Sequence, residues 1–279
     1  MSNDYGKLYI VATPIGNLGD ITLRALDTLK EVDIIAAEDT RHTLKLLNHY
    51  DIKTRLISHH EHNEDQSANG IAQLLEQGKN IALVTDAGMP CISDPGYKLV
   101  SLAHEKGYDV TCLPGASAVP AAIALCGLDA GRFRFEGFLP KNNTQRMSLL
   151  EDIASDGCAV VIYEAPHRLQ KTAAELAQMF YDRRIAIIND ISKIHEKVVI
   201  YEAGSLHGTL EGWNLKGEFV IVIERGEKRQ SQSYAELTLK EHVANLMAQE
   251  GLRKMDAVKK VAKLRGLKKS EVYDQTIDM

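Results

Sequence analysis

Ile81-Ala-Leu-Val-Thr-Asp-Ala-Gly-Met-Pro-Cys-Ile-Ser-Asp-Pro-Gly96 decides how the rest of the chain is read. Four consecutive apolar residues, Ile81 to Val84, follow the turn at Gly78-Lys79-Asn80 and predict a buried core strand. The strand breaks into a loop carrying Gly88, Pro90, Pro95 and Gly96, with Asp86 and Asp94 spaced between them. Glycine allows positive φ and close backbone approach, while proline fixes φ and removes a donor. A constrained loop at the carboxyl end of a core strand is where an open α/β sheet takes its ligand. A rigid surface turn is the plainer reading, but long structured loops tend to be functional.

Working outward, 279 residues correspond to about two domains. With 44% hydrophobic and 25% charged residues, the composition is that of a globular protein with material for sizeable cores. The formal charge of −5 carries no global sign of nucleic-acid binding, so any basic surface must be local. Met1 to Lys7 show no signal-like apolar run, and no stretch is long enough to cross a membrane, which predicts a cytosolic protein. Cys91, Cys112, Cys126 and Cys158 form no Cys-x-x-Cys pair and read as reduced, mostly buried thiols. Neither a disulfide nor a metal site is expected.

Before the decisive stretch, Lys7 to Ala12 reads as a first core strand and Thr13-Pro-Ile-Gly-Asn-Leu-Gly-Asp20 as its loop. Ile21 to Lys30 reads as a helix capped by Asp20, with Leu23, Leu26 and Leu29 on one face. Strand, loop and helix open a βαβ unit. The loop has neither the Walker A ending nor the Gly-x-Gly-x-x-Gly spacing, so phosphate or NAD binding is poorly supported. Val32 to Ala37 is a second strand, ending in Glu38-Asp-Thr-Arg-His42. Those polar groups are either a cap with a solvated turn or a substrate-facing strand end. Ser58-His-His-Glu-His-Asn-Glu64 lacks the His-Glu-x-x-His spacing of a zinc site and reads as a substrate-facing loop.

After the decisive stretch, Asp109 to Leu113 is a further strand, followed by Pro114-Gly-Ala-Ser-Ala118 and an Ala-rich helix to about Leu125. The pattern then restarts. Phe133 to Phe138, Cys158 to Tyr163, Ile185 to Ile188, Val198 to Tyr201 and Phe219 to Ile223 read as strands. Helices before Gly157 and from Leu169 to Phe180 separate the earlier ones, and the short later turns predict a mixed sheet. The fold class is α/β, with one domain over 1–116, a second over 117–228 and the ligand cleft between them. From Glu227 the composition changes to a polar linker, Glu227 to Ser233. Helices are expected from Ala235 to Gln249, from Arg253 to Gly266, and from Ser270 to Thr276 with Ser270 as cap. They form a helix-turn-helix-like extension, 229–279. Between Arg253 and Lys269 eight basic residues stand against one acid, Asp256, which is the local basic surface sought. A solvated amphipathic helix has the same composition.

Taken in order, Thr13 to Asp20, Glu38 to His42, Asp86 to Gly96, Phe135-Glu-Gly-Phe-Leu-Pro140, Tyr163-Glu-Ala-Pro-His-Arg168 and Lys216-Gly-Glu-Phe219 carry a resemblance. Together they resemble the small-subunit ribosomal RNA (cytidine-2′-O)-methyltransferases of the tetrapyrrole methylase superfamily. The likeness runs over about 7–225, and the tail is similar to that family's helical extension. It implies two α/β domains, S-adenosyl-L-methionine in the cleft, a homodimer, the small ribosomal subunit or its RNA as partner, and no membrane. It also places Thr13, Pro14, Ile15 and Gly16 in the first cofactor loop, and Asp86, Ala87, Gly88, Met89 and Ile92 in the second. Ser117 and Ala118 then contact the cofactor, and Tyr163 and Glu164 reach the pocket. Met89 stands where the resemblance leads one to expect Thr, Cys91 where an aliphatic residue is usual, and Asn189-Asp190 where Arg-Glu is usual.

The implied reaction moves a methyl group from a sulfonium to a ribose 2′-oxygen. In-line alignment of the reactants contributes about 7–11 kcal/mol, and removing the hydroxyl proton calls for a base. Candidates are Glu38, Asp39, His42, His59, His60 and Glu61, with Arg41 or Arg168 gripping phosphate. Glu38, Arg41, His60 and Glu61 are taken as the catalytic set, although each also reads as a cap or a surface charge. Two rival readings stand beside this one. The basic tail speaks against a small-molecule or tetrapyrrole methyltransferase, and the small residues Gly88, Ser117 and Ala118 speak against a non-catalytic RNA-binding factor.

Overall fold

The computed structural model describes residues 5–206, 210, 213, 215–226, 237–265 and 267–277, without the side chains of Gln249, Glu250, Lys263 and Leu264. The chain forms two compact units, Met1–Gly226 and Glu227–Met279. The first unit opens with β1 (Leu8–Val11), α1 (Leu23–Glu31), β2 (Ile34–Ala37), α2 (Thr40–His49) and β3 (Arg55–Ser58). α3 (Glu64–Glu76), β4 (Ile81–Val84), α4 (Tyr97–Glu105) and β5 (Val110–Leu113) complete its first layer. These strands form one parallel sheet in the order β3-β2-β4-β1-β5.

A parallel sheet is covered on both faces, so its inner strands are apolar at every position. β2 and β4 are buried throughout. Ile81 and Leu83 pack with Ile71 and Leu75 of α3 and Leu99 of α4. Ala82 and Val84 face the other way, among Ala25 and Leu29 of α1 and Leu47 of α2. β1 leads to β2 on one side, while β4 leads to β5 across β1. The carboxyl ends of β1 and β4 therefore form the switch point of the sheet, where ligands bind.

Two expectations for α1 need correcting. Thr22, not Asp20, caps the helix, its side chain accepting from Ala25 N–H, because Asp20 belongs to a preceding short 3-10 turn. Ala25 and Leu29 form the buried face, and Leu23 is 80% exposed at the start of the helix.

α5 (Ala118–Leu125) leads into β6 (Phe133–Phe138), α6 (Asn143–Asp156), β7 (Ala159–Glu164), α7 (Leu169–Met179), β8 (Arg184–Asn189), β9 (Lys197–Glu202) and β10 (Phe219–Ile223). The second sheet runs β6-β7-β10-β8-β9 and is mixed, with β6 and β7 parallel and the other pairs antiparallel. α6 and α7 cover one face through Leu150, Ile153 and Leu176. α5 covers the other, with Val119 and Ala122 against Val161, Ile188 and Val220.

In the second unit, α8 (Leu239–Glu250), α9 (Lys254–Arg265) and α10 (Lys269–Asp274) share a core of Val243, Leu246, Val258, Val261 and Val272. α8 begins at a capping box in which Thr238 and Glu241 satisfy each other's backbone N–H groups. Ser270 lies inside α10 rather than capping it, since the helix starts one residue earlier and Lys268 N–H donates to Glu271 Oε2 at 3.2 Å. The linker over 227–233, the expected helix start at Ala235 and the turn residue Gly266 lie outside the described residues. Among the described residues, no helix is long and apolar enough to cross a membrane.

Candidate active site

The loops after β1 and β4 are joined directly. Thr13 and Gly88 form a two-residue bridge, and Thr13 Oγ1 donates to Thr85 O at 3.0 Å. Gly88 has φ +91°, and a Cβ there would sit 3.4 Å from Ile15 Cγ2. The loop after β1 also meets the second half of the unit, where Ser192 Oγ donates to Asp20 Oδ2.

Between the two sheets lies a cavity of about 350 Å³. Its volume is within the roughly 300–1,000 Å³ of small-molecule sites. Ile15, Ala87, Gly88, Met89 and Ile92 line it from the first sheet, and Ser117 and Ala118 from the start of α5. Phe138, Tyr163 and Glu164 line it from the second sheet, together with the segment 217–220 leading into β10. Of the remaining expected cofactor residues, Thr13, Pro14 and Asp86 line an adjoining hollow of about 130 Å³, and Gly16 lines neither.

The departures from the family pattern have structural roles. Met89 sits on the cavity wall 3.7 Å from the Cys112 thiol, a place where its flexible thioether adapts to a gap. Asn189 Nδ2 donates to Lys216 O and Glu218 O, both at 3.2 Å, and Asp190 Oδ1 accepts from Glu218 N–H at 3.2 Å. Lys193 pairs with Asp190 at 3.3 Å and with Glu218 at 3.0 Å. Asn189-Asp190 thus holds the 216–218 segment, part of the far wall. Gly217 has φ +85°, and any Cβ there would collide with the Asp190 carboxylate. Burial, then the charges of Glu64 and Asp94, pushes the Cys91 thiol up to about 11, so it carries no reactive thiolate at neutral pH.

Glu164 is 1% exposed, and both its oxygens are engaged by the protein. Oε1 accepts from Ala165 N–H at 2.9 Å and lies 3.3 Å from Arg168 Nε, while Oε2 accepts from Thr172 Oγ1 at 2.5 Å. Arg146, 2% exposed, approaches Glu164 to 3.8 Å and donates to Glu175 at 2.5 Å. A buried charge needs such partners, since removing one leaves the other uncompensated at about 3–5 kcal/mol. Arg168, a candidate phosphate grip, instead donates to Leu139 O at 2.6 Å. Tyr163 above this network is pushed up to about 12 by burial and by the charges of Asp94 and Glu218.

The strand ends of β2 and β4 bring acids together. Glu38 Oε2 accepts from Thr85 Oγ1 at 2.6 Å and from Asp86 N–H at 3.4 Å, and Asp86 Oδ1 accepts from Asp39 N–H at 3.1 Å. Burial raises Asp86. Asp94 lines the cavity itself and is raised to about 6, first by burial and then by the Glu38 charge. Within the loop after β4, no local sequence pattern separates Asp94 from Asp86; its place on the cavity wall is what distinguishes it. Arg41 is exposed and forks onto Asp39 at 3.1 and 2.8 Å, holding that carboxyl well below the usual range. His60 and Glu61 occupy the turn after β3 and are absent from the cavity lining. His59 is buried with Nδ1 2.6 Å from Ser67 Oγ, and burial lowers its pKa, which keeps the ring neutral.

A family model described as Tetrapyrrole (Corrin/Porphyrin) Methylases matches residues 7–207. The chain is 43% identical over 282 residues to a ribosomal RNA small subunit methyltransferase I from Halalkalibacterium halodurans, covering 98% of this chain and 95% of that one. A protein of the same name from Bacillus subtilis is 42% identical, covering 98% and 94%. Among solved structures, diphthine synthase aligns with a TM-score of 0.59 at 18% identity, covering 78% of this chain and 90% of that one. A cobalt precorrin-4 methyltransferase aligns with a TM-score of 0.58 at 18% identity, covering 78% and 94%. These two likenesses concern the fold alone. From the family model and the full-length relatives, the chain belongs to the ribosomal RNA small subunit methyltransferase I family of the tetrapyrrole methylases.

Proposed function

We propose that the protein transfers the methyl group of S-adenosyl-L-methionine to the ribose 2′-oxygen of a cytidine in small-subunit ribosomal RNA, on the assembled subunit. The observation that carries this is the cavity between the two sheets, with Asp94 on its wall. Ile15, Met89, Ile92 and Phe138 offer apolar surface for a flat ring system, and the Asp94 carboxylate complements a cationic centre. The residues therefore fit the cofactor, which when bound supplies an electrophilic methyl on a good leaving group. What remains for the protein is alignment and removal of the hydroxyl proton.

Asp94 is the proton acceptor in this scheme. A carboxyl raised to about 6 is mostly ionised at neutral pH yet more basic than an ordinary aspartate. Glu38 is a positioning residue, held by the Thr85 hydroxyl, and its charge raises the Asp94 carboxyl. Arg41, exposed at the start of α2, meets the RNA backbone. His60 and Glu61 take no step here.

Relatives at 43% and 42% identity bear the name of a ribosomal RNA methyltransferase, and the basic α9–α10 region gives the RNA a cationic surface. The protein works as a homodimer in the cytoplasm, with functional parts over 1–116, 117–228 and 229–279. Calorimetry with S-adenosyl-L-methionine, followed by a methyl-acceptor assay on naked RNA, small subunits and a tetrapyrrole, tests this function. Transfer to the small subunit is expected. Absence of cofactor binding, or transfer to the tetrapyrrole alone, would overturn it.

A further inference from the structure

The hollow of about 130 Å³ beside the cofactor cavity has features of a ligand site in its own right. Pro14, Leu18 and Leu46 give it apolar walls, and Thr43 and Asp86 add polar groups. Thr43 is 3% exposed, and its hydroxyl has no hydrogen-bond partner among the described residues. A threonine inside a helix commonly bonds the carbonyl four residues back. Here Asp39 O accepts the usual helical bond from the Thr43 backbone N–H, and the Thr43 hydroxyl makes no such bond to it. A buried hydroxyl left unmade is costly, and native structures keep few of them.

Asp86 contributes the second polar group. Its Oδ1 accepts from Asp39 N–H, while Oδ2 has no protein donor among the described residues. An unengaged carboxylate oxygen accepts from an amino group and repels a carbonyl or a phosphate. Lys45, exposed at the same hollow beside His42, supplies positive charge for a phosphate outside it. The volume is below the roughly 300 Å³ at which sites enclose a drug-sized ligand. That suits one six-membered ring rather than a whole nucleotide or a fused purine. Among pyrimidines, cytosine has the exocyclic amino group that an aspartate accepts from.

We propose that this hollow seats the cytosine of the target nucleotide, with Asp86 accepting from its amino group and the Thr43 hydroxyl donating to a ring acceptor. The assignment rests on the RNA-methylating role proposed above, and it names the residues that make that role selective for cytidine. The spacing is right for one nucleoside to reach both sites. Pro14 and Asp86 line the hollow, while their neighbours Ile15 and Ala87 line the cofactor cavity. Consecutive Cα atoms are about 3.8 Å apart, so a ribose at the boundary sits between base and methyl donor.

The test uses the full-length protein, S-adenosyl-L-methionine, and small subunits reconstituted with either cytidine or uridine at the methylated position. Thr43→Val keeps the side-chain shape and removes only the hydroxyl. Its melting temperature should equal or exceed the parent's, because an unpaired buried group has gone. Its affinity for S-adenosyl-L-methionine should be unchanged, while KM for the cytidine subunit rises about tenfold. Asp86→Asn should narrow the cytidine-over-uridine ratio of kcat/KM by about tenfold, since a rotated amide can donate to the uracil carbonyl. A parental KM in a folded Thr43→Val protein, or a parental ratio in Asp86→Asn, overturns the assignment. If Thr43→Val does not fold, the Asp86→Asn ratio decides alone. A parent that binds the cofactor but methylates neither subunit would instead defeat the function proposed above.

Discussion

Thr13 and Gly88 exchange both backbone hydrogen bonds, Thr13 N–H to Gly88 O at 2.9 Å and Gly88 N–H to Thr13 O at 3.0 Å. This ties the loop after β1 to the loop after β4 at the switch point of the sheet. The cavity wall at Ile15, Ala87, Gly88 and Met89 keeps its shape because two strand ends hold it from both sides.

Gly88→Val should therefore abolish cofactor binding. A β-branched residue is disfavoured at φ +91°, and its added atoms would press on Ile15 across the cavity edge. Backbone strain of this kind costs about 1–3 kcal/mol, which a domain of this size tolerates. Calorimetry on the folded variant should show S-adenosyl-L-methionine affinity reduced at least about tenfold. Unchanged affinity would remove this loop from the site.

Asp94 sets a pH dependence whose sign is defined. Its carboxyl is raised from 3.8 to about 6 in the folded protein, so the folded state holds the proton more tightly than the unfolded chain. The resulting stability is fully present below 3.8 and is lost as pH rises through about 6. Asp94→Asn should consequently be more stable than the parent at pH 7 to 8, by about 1 kcal/mol once partial solvent exposure is allowed for. The gap should close below about pH 4. Methyl transfer by the parent should rise through about pH 6, and the variant should lose roughly 100-fold or more in kcat. Thermal melts across pH and a pH–rate profile check both halves, and a variant with parental kcat would clear Asp94 of any role in proton removal.

Much of this architecture is legible in the chain, because buried strands such as Ile81 to Val84 and Phe219 to Ile223 are apolar at every position. α2, β3 and α4 are harder to read. β3 is an edge strand whose residues alternate little and stay partly exposed, and α2 begins inside a polar run that reads equally as a substrate loop. Leu23 misleads because apolar spacing marks a face without saying whether anything covers it. The Glu164 motif points to the cavity, yet its partners Arg146 and Thr172 arrive from α6 and α7, which no local pattern connects. The basic run is also less uniform than its composition. Arg265 turns inward to His242 Nδ1 at 3.1 Å and Leu237 O at 2.7 Å, while Arg253, Lys259, Lys268 and Lys269 remain exposed.

Those exposed cations give the helical extension its expected role. A chain ending at Arg229 should still bind S-adenosyl-L-methionine, since the whole cavity lies within the first compact unit. Its affinity for small subunits should fall. The log–log dependence of affinity on salt should flatten by about 0.7 for each phosphate of single-stranded RNA that the shortened protein no longer neutralises. Filter binding over a salt series measures both. Equal affinity and an equal slope in the shortened protein would reduce the basic stretch to a solvated surface.

The position of the transferred methyl bears most directly on the proposed reaction. Methylating a 2′-oxygen removes the internal nucleophile that lets alkali cleave the adjoining phosphodiester, whereas methylating the base leaves it in place. Small subunits are incubated with the protein and methyl-labelled S-adenosyl-L-methionine, and the RNA is then divided between alkaline hydrolysis and nuclease digestion. The expected result is one alkali-resistant linkage following a cytidine, and a digest whose label runs as 2′-O-methylcytidine. Label on the base, with that linkage still cleaved by alkali, would contradict the account.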